Sequence, residues 1–247
     1  MLLGMGVETA AIAAMLHIMN HATFKAALFM NAGIIDHEAG TRDIRRLGGL
    51  RHLMPITATL GIIAAASMAG LPPFNGFLSK ELMLEEAVHT TWFNIDWLFP
   101  VMVTLGAAAS VAYSLRYIFC LFYGKTRDDY PTPPHDPPFG LWGPPALLVI
   151  LVVMIGLFPE TWAGPLLRAA STSVLQHAPA EFQLAIWHGW TPAVTLSLIA
   201  IVTGSVLILG YRWARVTWDV APVVSAKRMY DGSVAAATRG SQMISET

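Results

Sequence analysis

The chain has 247 residues and a net charge of −1, with 55% hydrophobic and 13% charged residues. Soluble domains carry about 25% charged residues, so water is not the main solvent of this chain. The near-zero charge argues against a nucleic-acid surface, no glycine-rich phosphate loop or metal-spaced Cys/His set occurs, and the single cysteine, Cys120, excludes an internal disulfide.

The first apolar block, Thr9 to Ile35, is uncharged except for Lys25. It exceeds the roughly 20 residues that a helix needs to cross the hydrocarbon core. His17 and His21 precede Lys25 at four-residue intervals, so on a helix turning about 100° per residue the three fall within an arc of roughly 80°. A cation at mid-bilayer costs about 2.5–3.5 kcal/mol on insertion scales, which makes the stripe a functional candidate facing other helices or a hydrated cavity. A snorkelling lysine with two core histidines is the plainer reading. It fits less well, because an uncharged run continues from Ala26 to Ile35 beyond the lysine.

Asp36 to Leu53 follows as a solvated or headgroup-level loop, with Arg42, Arg45, Arg46 and Arg51 beside Asp36, Glu38 and Asp43. Met54 to Gly70 is an uncharged run, short but able to cross a thin core. Leu71 to Val88 opens on Pro72, Pro73 and Gly76, which interrupt the backbone ladder just before Lys80 and Glu81. Such a break survives at membrane depth only where protein or a hydrated cavity satisfies the freed groups, and broken helices line transport sites. Alternatively one helix ends at Gly70 and Lys80 and Glu81 sit in solvent; spacing alone leaves both readings open.

Leu98 to Tyr123 carries Arg116 as its one charge, and Leu141 to Pro159 carries none. Between them, Gly124 to Gly140 is rich in proline and charge (Lys125, Arg127, Asp128, Asp129) and cannot be helical throughout. Trp162 to Gln176, with Arg168, has the spacing of a helix lying at the interface. Phe182 to Tyr211 is the last long block, with His188 as its titratable group. The chain therefore reads as all-α: a polytopic membrane helix bundle of about six transmembrane helices, one of them broken, near 9–35, 54–70, 71–88, 98–123, 141–159 and 182–211. Residues 1–211 form the membrane domain, and 212–247 a cytoplasmic tail or the start of a lateral, interfacial helix. Six separate crossings put Arg42, Arg45, Arg46, Arg51 and Arg168 on one side and Lys125, Arg127, Arg212, Arg215, Lys227 and Arg228 on the other, so the positive-inside rule barely chooses.

The stripe has the chemistry of a proton carrier. Desolvation disfavours an ammonium, histidine titrates near neutrality, and neighbouring positive sites repel, so a proton arriving on one favours release from the next. A Na⁺ ion would want oxygen ligands, and the apolar blocks offer few carboxylates, so no metal or sodium site is assigned. A scaffold whose charges only pack helices is the reading of another class. An embedded redox subunit is disfavoured, because His17 and His21 on one helix cannot be opposite axial ligands of a haem; no cofactor is expected.

Two stretches carry a family resemblance: His17-Ile18-Met19-Asn20-His21-Ala22-Thr23-Phe24-Lys25-Ala26-Ala27-Leu28-Phe29 and Leu71-Pro72-Pro73-Phe74-Asn75-Gly76-Phe77-Leu78-Ser79-Lys80-Glu81. Both, with the linking Gly40 to Leu50, resemble the signature segments of the antiporter-like proton-translocating subunits shared by respiratory complex I and the multi-subunit Mrp cation/proton antiporters. Ile186 to Pro192 and Met229 to Gly232 look most like the A subunit of the Mrp antiporters, with a complex I subunit 5-like pump as the alternative. The resemblance maps onto the later part of the family domain, its second inverted repeat, which implies an incomplete chain or a subunit whose other half is a separate polypeptide. It implies that Lys25 is the buried lysine of a half-channel, His17 and His21 its hydrated relay, and Lys80 the lysine of the broken helix formed by Pro72, Pro73 and Gly76, with Glu81 and Arg116 as supporting charges. It further implies a secondary-transporter subunit rather than an enzyme, exchanging protons for a monovalent cation such as Na⁺. Its setting would be a multi-pass protein of the prokaryotic inner (plasma) membrane, alongside other small membrane subunits of a hetero-oligomeric complex.

Overall fold

The uncharged run that begins near Thr9 folds into one long helix, α1 (Glu8–Ala39), which stops where Gly40 takes a left-handed conformation at φ 69°. The computed structural model describes residues 2–91, 93–127, 130–179, 182, 184–187, 189–218 and 226–245. Asp128, Asp129 and His188 lie outside the described residues, as do the side chains of Arg212, Arg215 and Arg228. After α1 come α2 (Leu50–Leu53), α3 (Pro55–Ala69), α4 (Asn75–Val88) and α5 (Leu98–Tyr117), which continues into a π-helical turn, Ile118–Phe122. Then follow α6 (Phe139–Leu157), α7 (Pro159–Trp162), α8 (Gly164–Leu175), α9 (Pro192–Trp218) and α10 (Ala226–Ser245). Met1–Ile208 is one compact unit and Leu209–Thr247 a second, whose α10 exposes Met229, Tyr230 and Val234.

Two runs that look separate in the sequence share one length of the bundle. α3 and α4 lie in series, antiparallel to α1, and the contacts march steadily along it. Asn31 Nδ2 donates to the Thr57 carbonyl (2.7 Å), Ala64 and Ala65 pack with Ala27 and Leu28, and Asn20 Nδ2 donates to the Asn75 carbonyl (2.8 Å). Beyond the break Leu78 packs on Ile12 and Leu16, and Thr9 donates to Glu86 (2.8 Å). At about 1.5 Å per residue α1 is about 48 Å long and the two halves about 22 and 21 Å, so together they match the helix they line. The six apolar helices thus fill five lengths of the bundle, not the six separate crossings assumed in assigning charges to sides.

Among the described residues three segments are long and apolar enough to cross a membrane by length and composition: Leu98–Phe122, Phe139–Leu157 and Pro192–Gly210. α5 runs parallel to α1, with Val103 beside Leu84 and Ala87 and Phe122 beside Ile35 and Met54. α6 returns, and α8 tucks Leu167 under Ile12 and Leu16. The expected start of the last block at Phe182 moves to Pro192, because a proline without an N–H suits a first turn and Gly189 just before it has φ 92°.

The revised topology moves charges to different ends. The loops 40–54 and 123–138 meet at the same end, where Arg127 Nη2 donates to the Arg45 carbonyl (3.1 Å) and the Tyr130 hydroxyl to the Gly48 carbonyl. Arg42, Arg45, Arg46, Arg51, Lys125 and Arg127 therefore share one end, whereas Arg168 lies at the other with Glu8, Glu85, Glu86, Asp96 and Glu160.

Candidate functional site

The site is the interruption between α3 and α4, and its construction begins with carbonyl groups. The last four carbonyls of a helix have no intrahelical partner. In α3 each has found one: the Leu71 N–H donates to Ala66 (3.1 Å), the Gly70 N–H to Ser67 (2.8 Å), the Ser110 hydroxyl to Met68 (3.1 Å) and Lys80 Nζ to Ala69 (2.6 Å). The ammonium thus sits on the negative end of the α3 dipole, with the whole residue 8% exposed. Gly70 at φ 76° turns the chain left-handed, and its bare α-carbon makes room for the lysine tail. Pro72 and Pro73 form the exposed turn that follows. At Gly76 any Cβ would overlap the Ser67 carbonyl oxygen, so glycine lets the start of α4 press against the end of α3.

Buried polar side chains lock the two ends together. Ser67 donates to Asn75 Oδ1 (2.7 Å) and accepts from the Gly76 N–H (3.0 Å), while Asn75 Nδ2 donates to Thr23 Oγ1 (2.9 Å) on α1. Asn20, Ser67, Asn75 and Ser79 are fully buried, and Asn20 Oδ1 has no hydrogen-bond partner among the described residues. None of these residues stood out in the sequence, because single Asn, Ser and Thr residues in apolar runs resemble ordinary helix-packing polar groups.

Of the residues singled out by sequence, His17, His21, Lys25 and Lys80 come to this seam. His17 Nδ1 is 3.3 Å from Ser79 Oγ, one residue before Lys80, and the His17 and His21 rings are 5.7 Å apart. Lys25 Nζ lies 3.7 Å from Met68 Sδ, one residue before Ala69, and 5.7 Å from the Phe29 ring centroid. Both lysines therefore touch the same end of α3. Glu81 is buried behind Lys80, lining a cavity of about 260 Å³ with Leu16, Leu78, Leu82, Glu85 and Leu184. Arg116 is exposed, six residues past Ser110 and so about 9 Å farther along α5.

At the far end of α3 the loop 123–138 supplies a cap that the local sequence lacks. Asp136 accepts from the Ile56 N–H (2.9 Å), the Thr57 N–H (2.9 Å) and the Thr57 hydroxyl (2.8 Å). Nearby, buried Glu38 meets His37 Nδ1 (3.0 Å) and His135 Nε2 (3.4 Å), tying α1 to the same loop. In the loop 40–49 the Arg45 side chain and backbone N–H bond to Asp43 and hold its carboxyl at about 2, below the usual carboxylate range.

An all-helical bundle with membrane-length apolar segments and one discontinuous helix has the form of a polytopic membrane domain. Residues 1–106 match the transmembrane family described as NADH:quinone oxidoreductase/Mrp antiporter. The A/B subunit of a probable K(+)/H(+) antiporter of Rhizobium meliloti is 48% identical over 204 residues, covering 82% of this chain and 20% of that protein. The A subunit of the Na(+)/H(+) antiporter of Alkalihalophilus pseudofirmus is 39% identical over 248 residues, covering 95% of this chain and 31% of the relative. A chain in the structure of the Mrp complex from Dietzia sp. superposes with a TM-score of 0.74 at 28% identity, over 98% of this chain and 26% of that one. The chain thus spans between a fifth and a third of the length of these relatives.

Proposed function

We propose that this chain is the part of a multi-subunit monovalent cation/proton antiporter that carries protons along the seam between α1 and the α3–α4 break. His17, His21 and Lys25 form one bank of the path and Lys80 the other. The observation that carries the reading is the convergence of Lys25 and Lys80 on one helix end, through Met68 and the Ala69 carbonyl, with His17 linked to Ser79 beside them. A proton on either lysine raises the cost of a proton on the other, which favours handing it on. Asn20 Oδ1, which has no hydrogen-bond partner among the described residues, supports a hydrated seam, since buried polar atoms are otherwise bonded. The relatives' names give sodium in some cases and potassium in another, so the exchanged ion is proposed only as a monovalent cation.

The setting proposed is a bacterial plasma membrane, in company with other membrane subunits. The end that gathers Arg42, Arg45, Arg46, Arg51, Lys125 and Arg127 faces the cytoplasm by the positive-inside rule. The test is cation-driven dissipation of a pH gradient in vesicles holding the whole complex. Lys25→Ala and Lys80→Ala should each abolish it while the amount of assembled complex stays unchanged. Normal rates at every pH would return both lysines to a packing role.

A further inference from the structure

Two basic side chains and two aromatic rings form a second feature, at the rim of the bundle, that the proton path does not use. The π-helical turn Ile118–Phe122 ends α5 by rotating its outer residues, which leaves Phe119 51% and Tyr123 47% exposed with their rings 5.9 Å apart. Arg51, on the one-turn helix α2, holds its guanidinium 4.6 Å from the Tyr123 ring centroid and donates to His52 Nε2 (3.0 Å). Gly48 packs so tightly on the next strand of loop that a Cβ there would overlap the Lys125 carbonyl, which fixes Lys125 beside the α2 turn. Arg51 and Lys125 are both exposed.

We infer that this edge, with Arg51 and Lys125 above Phe119 and Tyr123, is a binding site for an anionic phospholipid. Charge complementarity and vertical order commit it to that occupant. Aromatic rings stand exposed where an apolar helix ends, the level of the headgroup boundary, and Phe119 lies on the membrane side of that level, against acyl chains. Arg51 stacks on Tyr123 and Lys125 follows that ring by two residues, two exposed cations placed to meet a phosphate. Arg45, by contrast, is already bound to Asp43 through its guanidinium (2.7 Å) and is the less available cation of the same end.

The test uses the chain in its assembled complex, exchanged into mixed micelles of phosphatidylglycerol and phosphatidylcholine, with retained lipid counted by native mass spectrometry. Each basic residue near an anionic surface is worth about 1 kcal/mol, or about fivefold, so Arg51→Gln with Lys125→Gln should weaken phosphatidylglycerol retention about 25-fold. Tyr123→Ala should weaken it further without changing charge. The charge-matched pair Arg42→Gln with Arg45→Gln should leave it nearly intact. An equal loss in both pairs would reduce the edge to diffuse surface charge and overturn the inference. Displacement of the lipid by inorganic phosphate alone would make it a free-anion site. Failure of the wild-type complex to retain phosphatidylglycerol there would give the edge to a protein neighbour.

Discussion

Replacing Gly70 by alanine should disable transport although the residue has no proton to give. The position is left-handed, at φ 76° and ψ 39°, where a Cβ costs about 1–2 kcal/mol. That Cβ would stand 2.7, 2.9 and 3.0 Å from Lys80 Cδ, Cε and Nζ. Ordinary carbon contacts lie at about 3.5–4.0 Å, so the lysine tail must retreat by about 1 Å. The present Nζ to Ala69 carbonyl distance is 2.6 Å, and a retreat of that size leaves it beyond hydrogen-bond range. Losing a bond to a charged group costs about 1.5–3 kcal/mol, equivalent to about a 10- to 100-fold fall in occupancy of the seated state. Gly70→Asn separates the causes, because asparagine tolerates the left-handed backbone yet keeps the Cβ. Both variants are measured in vesicles of the whole complex by cation-driven collapse of a pH gradient, with protein content quantified on the same preparation. Wild-type rates in both, or a defect in Gly70→Ala with none in Gly70→Asn, would refute the claim that the seat of Lys80 on Ala69 matters.

Lys25→Arg should fail as completely as Lys25→Ala, since arginine keeps its proton in proteins; a working Arg variant in the same vesicle assay would show that charge alone suffices. Single alanine changes at His17 and His21 should slow turnover more than they lower abundance, and the double change should be worse than additive, because water replaces one imidazole more readily than two. Equal losses of abundance and rate would mark core histidines. Asp136→Ala removes three hydrogen bonds from the start of α3 and should destabilise the purified protein by about 1–2 kcal/mol, read as a lower melting temperature, with Asp136→Asn milder. A cysteine at position 80 should react with small hydrophilic reagents far more slowly than one at position 125, which is exposed.

α1 was legible in the sequence because an uncharged run interrupted only by Lys25 admits few other structures, although the helix runs on past the expected end at Ile35, through Asp36 to Ala39, before Gly40 stops it. The apolar blocks of α5 and α6 were legible for the same reason. What the linear pattern hid was arrangement. An apolar run the length of Met54 to Gly70 looks like a crossing of its own, and nothing in it says that the next helix continues along the same neighbour. That one unseen junction also misplaced the arginines, since every later loop changes side with it. The lysines and histidines announced themselves by charge in an apolar setting. Asn20, Asn75 and Ser67 did not, because their role comes from two helix ends meeting against the middle of α1. Asp136 was hidden by distance, as it caps a helix some eighty positions earlier in the chain.

The two half-length helices also constrain how the protein is made. Neither α3 nor α4, at about 22 and 21 Å, covers a hydrocarbon core of about 30 Å, and α4 brings Lys80, Glu81, Glu85 and Glu86 with it. An insertion machine reading the chain as it emerges would find no segment there worth releasing into lipid alone. α1 emerges first and presents Asn20, Thr23 and His17, the partners that α4 and its flanking turn require. The broken helix should therefore enter the membrane as the second arm of a hairpin on α1. Damage to α1 polar residues should then surface during biosynthesis, as α4 stranded outside the bilayer and chains cleared by proteolysis, before any ion has been moved.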